Sequence, residues 1–377
     1  MEFIHDIPIL LLILFGGTYS LLIILFTVGW FRLKNENYPD YKGMISVLIS
    51  VRNEAQSIRF LLEDLKKQSI STDEFEVLII DDHSEDESAH IISEFCNRNP
   101  GMPFQLIKNK KNGKKEAIAL GISQAKGEII LCVDADCRVG SEWISSIRSA
   151  FGNSVVQMIS GPVTFFKENS LFKNIQSLEF LSLIASGAGA IGMKIPFMCN
   201  GANLAFRKTA FADVNGYTGN NQFASGDDVF LLHKIKKHYG SEAICFLKDR
   251  NAIVETASSN TLKSFLQQRK RWASKSRAYK DIFTLFTSIT VAGFSLVLIL
   301  LLVLSFYNNR FLAFFVMGLM LKIKIDFALL MATSCFLHKR YLMWYYLPVQ
   351  LIYPIYTILI SLLAFFTKNE WKGREIN

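Results

Sequence analysis

The chain has 377 residues, 50% of them hydrophobic, with 41 Lys and Arg against 33 Asp and Glu, and six cysteines. This composition excludes a disordered chain, a collagen-like repeat and a small disulfide-stapled scaffold. Charged residues make up 20%, below the roughly 25% of an ordinary globular chain, and the mean hydropathy is +0.25, so where the apolar excess sits decides the class.

The first apolar block, residues 7–31, carries no Asp, Glu, Lys or Arg. It exceeds the roughly 20 residues that a helix needs to cross a bilayer. A cleaved signal peptide fits poorly, because Glu2 and Asp6 precede the run without any Lys or Arg, and the run is too long. Residues 1–34 are therefore read as a retained anchor. Residues 282–307 and 341–366 are likewise free of charge. Between them, residues 311–337 are apolar but contain Lys322, Lys324 and Asp326. That segment is read as a full span with Lys322 and Asp326, four apart, paired on one helix face. Two short re-entrant pieces are the alternative. Residues 282–367 thus hold two or three spans, followed by a tail at 368–377. Arg32 and Lys34 directly follow the first span. By the positive-inside rule they place the central block in the cytoplasm. The expectation is an integral protein of the cell inner membrane with its catalytic domain cytoplasmic.

In the block 40–260, short apolar runs alternate with amphipathic stretches. Strands are predicted at 45–51, 76–81, 104–108 and 128–133, and helices at 57–67, 88–96, 114–125 and 141–151. This alternation predicts an α/β, Rossmann-like domain on a parallel sheet, whose ligands bind beyond the carboxyl ends of the strands. Those ends read Arg52-Asn53-Glu54, Asp81-Asp82-His83-Ser84 and Asp134-Ala135-Asp136. Carboxylates crowded at one edge call for a hard divalent cation, Mg2+ or Mn2+. Asp134 and Asp136 are the candidate metal residues, with the ion bridging a diphosphate. Lys114 opens a helix after Lys110-Lys111-Asn112-Gly113, where a phosphate could meet the helix N-terminus. The basic balance suits a membrane lipid or an anionic substrate. No basic block is interleaved with exposed aromatics, so nucleic acid is not expected. The cysteines show no zinc spacing and are read as buried free thiols.

Further along, Cys199-Asn200-Gly201-Ala202-Asn203 forms a small polar turn, with Gly201 a candidate for acceptor contact. Ser225-Gly226-Asp227-Asp228 then puts two carboxylates at the start of an amphipathic helix. Helix capping is the plain reading; a carboxylate taking a proton from an attacking hydroxyl is the sharper one. The flanks of this Gly-Asp-Asp lack the strand–turn–strand pattern of viral RNA polymerases. Residues 261–281 predict a basic amphipathic helix at the membrane interface, carrying Gln268, Arg271 and Trp272.

Taken together, Val51-Arg52-Asn53-Glu54, Asp81-Asp82, Asp134-x-Asp136, Asp227-Asp228 and Gln268-x-x-Arg271-Trp272 resemble the membrane-bound family 2 glycosyltransferases. That group includes cellulose, chitin, hyaluronan and poly-N-acetylglucosamine synthases and ceramide glucosyltransferases. The resemblance runs from about Ile45 to Trp272 and implies a GT-A fold with transmembrane helices at both ends. It implies inverting transfer from a nucleotide-sugar, usually UDP-linked, in polysaccharide or glycolipid biosynthesis. By the same likeness, Asp81 or Asp82 contacts uracil or ribose, and Asp134 and Asp136 sit at ribose, diphosphate and metal. Arg52, Glu54 and Lys114 join the donor-binding candidates. Asp227-Asp228 stands where the family has Glu-Asp, which makes Asp228 the general base and leaves Asp227 beside it. Gln268 and Arg271 lie by the diphosphate and Trp272 by the acceptor.

Few membrane spans favour a single transfer to a lipid or glycan acceptor over a processive synthase that exports its product, unless partner membrane subunits complete a pore. A non-catalytic membrane scaffold keeping the fold has no need for these carboxylates. A transporter, suggested by Lys322 and Asp326, has no need for so large a central block.

Overall fold

The runs Ile45–Val51, Phe75–Asp81 and Ile129–Asp134 are apolar on both strand faces, as central strands covered by helices must be. The computed structural model describes residues 2–34, 41–219, 227–274, 281–366, 369–371 and 374–376. In chain order the elements are α1 (Glu2–Arg32), β1 (Ile45–Val51), α2 (Ile58–Lys66), β2 (Phe75–Asp81), α3 (Ser88–Arg98), β3 (Phe104–Lys108), α4 (Lys114–Gln124) and β4 (Ile129–Asp134). Then come β5 (Arg138–Val139), α5 (Trp143–Ala150), β6 (Met158–Ser160), β7 (Val163–Phe166), α6 (Leu171–Gly192), β8 (Leu204–Arg207), α7 (Lys208–Asp213) and α8 (Asp227–Tyr239). The chain continues with β9 (Ile244–Phe246), β10 (Val254–Ala257), α9 (Leu262–Ser274), α10 (Ile282–Ser305), α11 (Arg310–Phe336), α12 (Tyr346–Phe366) and the terminal pair β11 (Asn369–Trp371) and β12 (Arg374–Ile376).

The chain divides into two units. The α/β unit comprises Leu33–Lys167 and Lys194–Ser258. Its main sheet has the order β3-β2-β1-β4-β8-β6-β9. β1 pairs in parallel with β2 and β4, and β2 with β3, as the alternating pattern predicts, whereas β8 runs antiparallel to both β4 and β6. A smaller sheet has the order β5-β10-β7. On α2 the buried apolar residues Ile58, Leu61, Leu62 and Leu65 follow the helical period. Each such burial is worth about 1.5–3 kcal/mol. Glu76, an acid near the start of β2, is satisfied: it accepts from Ser46 Oγ at 2.6 Å and from the Lys126 N–H at 2.5 Å. The parallel register sets Val51 beside Asp81, and Ser50 beside Asp134, so acids far apart in sequence leave the sheet at one edge. The fold is of the GT-A, Rossmann-like class, as expected.

The helical unit comprises Met1–Arg32, Glu168–Met193 and Ser259–Asn377. The α/β domain read from sequence as continuous over 40–260 is thus interrupted by α6. Among the described residues, four segments are long and apolar enough to cross a membrane: Asp6–Arg32, Leu171–Gly192, Ile282–Ser305 and Arg340–Ala364. The apolar stretch of α6 is 72% buried against 28–39% in the other three, so α6 is an inner helix of its unit. Lys173 and Glu179 interrupt its apolar run, and a search for charge-free stretches passes over it. α1 and α6 approach at glycine. A Cβ on Gly29 would lie 1.9 Å from the Gly189 carbonyl oxygen, and one on Gly192 would lie 2.1 Å from that of Gly29. Backbones this close admit only small residues.

α11 is one continuous helix, and Lys322 Nζ meets Asp326 Oδ2 at 2.6 Å on one face, as the spacing predicts. The pair is completed by neighbours. Lys322 donates to Gln350 Oε1 at 2.5 Å, and Tyr19 Oη donates to Asp326 Oδ1 at 2.7 Å. The network therefore ties α1, α11 and α12 together. The six cysteines are free, as read, but only Cys132 and Cys137 are buried.

Candidate functional site

Three turns at the carboxyl edge of the main sheet are built from their own polar side chains. Arg52, which follows β1, is 6% exposed and donates through Nη1 to the carbonyls of Asp82 and His83, both at 2.9 Å. It also pairs with Glu85 at 3.2 Å. Its guanidinium is thus a strut between the first two turns. Asp82 is 1% exposed and accepts from Asn109 Nδ2 at 2.9 Å and from the Gly113 N–H at 2.9 Å. Gly113 has φ +107°, a backbone open to glycine and strained for other residues. Asp82 therefore fixes the loop that carries Lys114. Of the two adjacent acids, Asp81 is the one that lines an open cleft of about 460 Å³ with His83, Ser84, Lys108 and Asn109. Glu54 Oε2 accepts from Ser57 Oγ at 2.7 Å.

The second cluster centres on the start of α4. Lys114 Nζ pairs with Asp134 Oδ1, and the next residue, Lys115, places Nζ 3.3 Å from Asp227 Oδ1. Burial alone would lower the Lys114 ammonium, but the charges of Asp134, Asp227 and Asp228 prevail and raise it, so it is a cation at any working pH. Asp228 accepts from the Gly201 N–H at 3.0 Å through Oδ2 and from the Val229 N–H at 2.9 Å through Oδ1. Asp227 and Asp228 open α8, where the helix dipole favours negative charge. Residues 225 and 226 of that motif lie outside the described residues. The remaining turn residue, Asn203, is fully buried. It accepts from Trp143 Nε1 at 3.1 Å and donates to the Pro162 and Ala252 carbonyls, so it holds the turn in place while Gly201 faces Asp228.

Asp136 leaves β4 two residues after Asp134 and accepts from Thr256 Oγ1 at 3.3 Å. Its carboxyl is pushed up to about 6, first by burial and then by the charges of Asp134 and Glu54. Carboxylates crowded in this way fit a cation. Among the described residues, no group of three or more His, Cys, Asp or Glu forms a ready metal cage. The donor set therefore fits a hard ion held by one or two carboxylates and completed by phosphate oxygens and water, the habit of Mg2+.

Two residues here escape a reading of the sequence. Lys115 follows Lys114 with no local mark to separate their roles. Tyr217 feels the same charges: burial and then Cys132, Asp227 and Asp228 raise its hydroxyl well above the ordinary range. Its turn is clamped by Lys234, which donates to the carbonyls of Gly216 at 2.6 Å and Thr218 at 2.8 Å. A tyrosine in a glycine- and asparagine-rich turn carries no sequence signal of this kind.

Gln268, Arg271 and Trp272 stand on α9 of the helical unit. Arg269 stands between them and is buried: its Nε and Nη2 donate to Glu179 Oε2 of α6 at 2.9 and 2.5 Å. Its Nη1 donates to Gln268 Oε1 at 2.5 Å, and its guanidinium lies 4.3 Å from the Trp272 ring centre. The sequence pattern passes over Arg269, because one of several basic residues in a basic helix reads as solvated.

Residues 46–214 match the family model described as glycosyl transferase family 2. A poly-beta-1,6-N-acetyl-D-glucosamine synthase from Staphylococcus epidermidis is 27% identical over 241 residues, which cover 61% of this chain and 53% of the synthase. An undecaprenyl-phosphate 4-deoxy-4-formamido-L-arabinose transferase from Yersinia enterocolitica is 28% identical over 148 residues, covering 38% of this chain and 44% of the transferase. The chain spans about half the length of the curated relatives it matches. Among solved structures, a mannosyltransferase from Pyrobaculum calidifontis in complex with GDP-Man and Mn2+ aligns with a TM-score of 0.63 at 17% identity, covering 93% of this chain and 98% of its own. That likeness bears on the fold.

Proposed function

We propose that this chain, whose residues 46–214 match the glycosyl transferase family 2 model, transfers a sugar from a nucleotide-sugar to a lipid or glycan acceptor at a membrane, with inversion at the anomeric carbon. One observation carries the reading: Asp134, Asp227 and Asp228 meet the paired lysines and the Gly201 N–H around the start of α4. A structural role alone has no use for so many ionised groups at one sheet edge.

The nucleoside of the donor, UDP-linked in this reading, enters the cleft beside Asp81, and Arg52, Glu54 and Asp82 hold the turns that shape it. Lys114 is assigned to the diphosphate; Gln268 and Arg271 are given the same role on the resemblance of their motif alone. The Gly201 turn is assigned to the acceptor, and Trp272 is given that role on its motif alone. The Asp228 carboxylate takes the proton of the acceptor hydroxyl, and the oxygen attacks the anomeric carbon opposite the diphosphate. The new glycosidic bond forms as the bond to the diphosphate oxygen breaks, and the negative charge leaves with the nucleoside diphosphate. The Lys114 ammonium, a preorganised cation at the start of α4, suits that developing charge. Asp134 and Asp136 would hold Mg2+ or Mn2+, which supplies charge neutralisation on the diphosphate.

The relatives divide between a polymer synthase and a transferase to a polyprenyl phosphate. The basic amphipathic α9 suits a lipid-borne acceptor at the surface of the inner membrane, with the α/β unit in the cytoplasm. A processive synthase with partner membrane subunits is the second reading, favoured by the longer match to the Staphylococcus synthase. A screen of nucleotide-sugars with membranes, read by mass spectrometry of lipid extracts, separates them. A discrete glycolipid is expected. Material retained at the origin of a thin-layer plate supports the synthase, and no nucleoside diphosphate release from any donor overturns both.

A further inference from the structure

We infer that Arg269 and Glu179 are positioning residues, which orient Gln268 and Trp272 from within the helical unit. The inference rests on reading residues 268–272 as part of the transfer site. Arg269 is 2% exposed, and all of its hydrogen-bonded partners belong to α6 and α9. One carboxylate oxygen of Glu179 takes two guanidinium N–H groups, and the other takes the Tyr356 hydroxyl of α12 at 2.9 Å. This leaves both charges paired and hydrogen-bonded, the condition under which a buried ion pair persists.

Beyond this pair, the Arg269 guanidinium bonds Gln268 and lies over the rings of Trp272, Phe265 and Phe180. A guanidinium has donors and no acceptor. Its 2.5 Å bond to Gln268 therefore takes the amide oxygen and turns the Gln268 amide –NH2 away from it. What Gln268 offers to a ligand is then a pair of N–H donors, suited to diphosphate oxygens. The same guanidinium lies 4.3 Å from the Trp272 ring centre, and Phe180 of α6 packs on that ring at 5.9 Å. One buried cation thus sets an amide and an indole on neighbouring turns of α9. A well-packed apolar pair at these two positions would hold α6 and α9 together as well. It would not orient Gln268.

The test uses the full chain in detergent, with Glu179→Leu/Arg269→Met as the apolar pair and Arg269→Lys as the conservative change. Two readouts are needed. The first is the tryptophan emission lost on adding Trp272→Phe to each background, which isolates the Trp272 spectrum. The second is sugar transfer with whichever of UDP-N-acetylglucosamine, UDP-glucose or GDP-mannose the wild type turns over in Mn2+. The apolar pair is expected to melt within a few degrees of the wild type, to shift the Trp272 spectrum, and to lose transfer by about tenfold or more. Adding Gln268→Ala should then cost less than about twofold further, because residues acting as one unit are non-additive. Arg269→Lys should recover part of the loss. Wild-type transfer in the apolar pair overturns the proposal, and so does a Gln268→Ala loss that multiplies in full. If Gln268→Ala and Trp272→Ala alone transfer at the wild-type rate, the motif reading fails instead. The emission test then decides the orienting role by itself, and an unaltered Trp272 spectrum overturns it.

Discussion

Lys115 Nζ lies 3.3 Å from Asp227 Oδ1, with the two side chains 11% and 14% exposed, so an ammonium on α4 serves the first acid of α8. Its neighbour Lys114 serves Asp134 of β4. Two adjacent lysines on one helical turn thus join two acidic motifs that the sequence keeps far apart.

Removing that ammonium takes from a largely buried carboxylate the cation 3.3 Å away. Lys115→Met is expected to destabilise the protein by about 2–3 kcal/mol, read by chemical denaturation, and Lys115→Arg to restore most of it. A Lys115→Met protein as stable as the wild type would show that Asp227 does not depend on this pair.

Asp228→Asn keeps shape and keeps an oxygen for the Gly201 N–H, so the fold should be retained. It removes the base. Turnover should fall by about 10²- to 10⁴-fold, while titration with UDP and Mn2+ shows nearly unchanged binding. Wild-type turnover in Asp228→Asn would remove this residue from the base role.

In the helical unit, Lys322 and Asp326 are a buried pair completed by Gln350 and Tyr19. Lys322→Met alone should destabilise the detergent-solubilised protein by about 3 kcal/mol, because it strands a buried carboxylate, whereas Lys322→Met/Asp326→Leu should recover most of that loss. Equal stability of the single and double variants, in thermal unfolding, would mean that the pair is not coupled.

The turn after β1 is tied to the turn after β2 by Asp86, which accepts from the N–H groups of Ala55 and Ser88, both at 3.0 Å. Partial burial raises its carboxyl, but hydrogen bonds from Ser88 and Ala55 outweigh this and hold it below the usual carboxylate range. A depressed carboxyl contributes stability above its unfolded value and loses it as pH falls through the folded value. Stability measured from neutral pH into the acid range should therefore decline less steeply in Asp86→Asn than in the wild type. Identical slopes would leave Asp86 without a part in acid sensitivity.

Much of this molecule is written in local pattern. Runs such as Ile45–Val51 and Phe75–Asp81, alternating with stretches such as Ile58–Lys66, declare a parallel α/β sheet through their periods. Asp81, Asp134 and Asp227-Asp228 announce themselves because acids directly after a buried strand, or at a helix start, are conspicuous. The division of labour among them is not legible. Arg52 and Asp82 read in sequence as donor contacts, and the structure adds that they also brace the turns, through partners, His83, Asn109 and Gly113, that only coordinates identify.

The amino-acid order alone determined the class of the sheet, the strand ends that carry the acids and the charge-free helices, because each follows from periodicity or composition within a few turns of chain. The folded molecule decided the rest: that α6 belongs with the apolar helices, that Lys115 answers Asp227, and that Arg269 is buried against Glu179. These are pairings across long sequence separations. They depend on strand order, register and helix packing, which no local pattern carries.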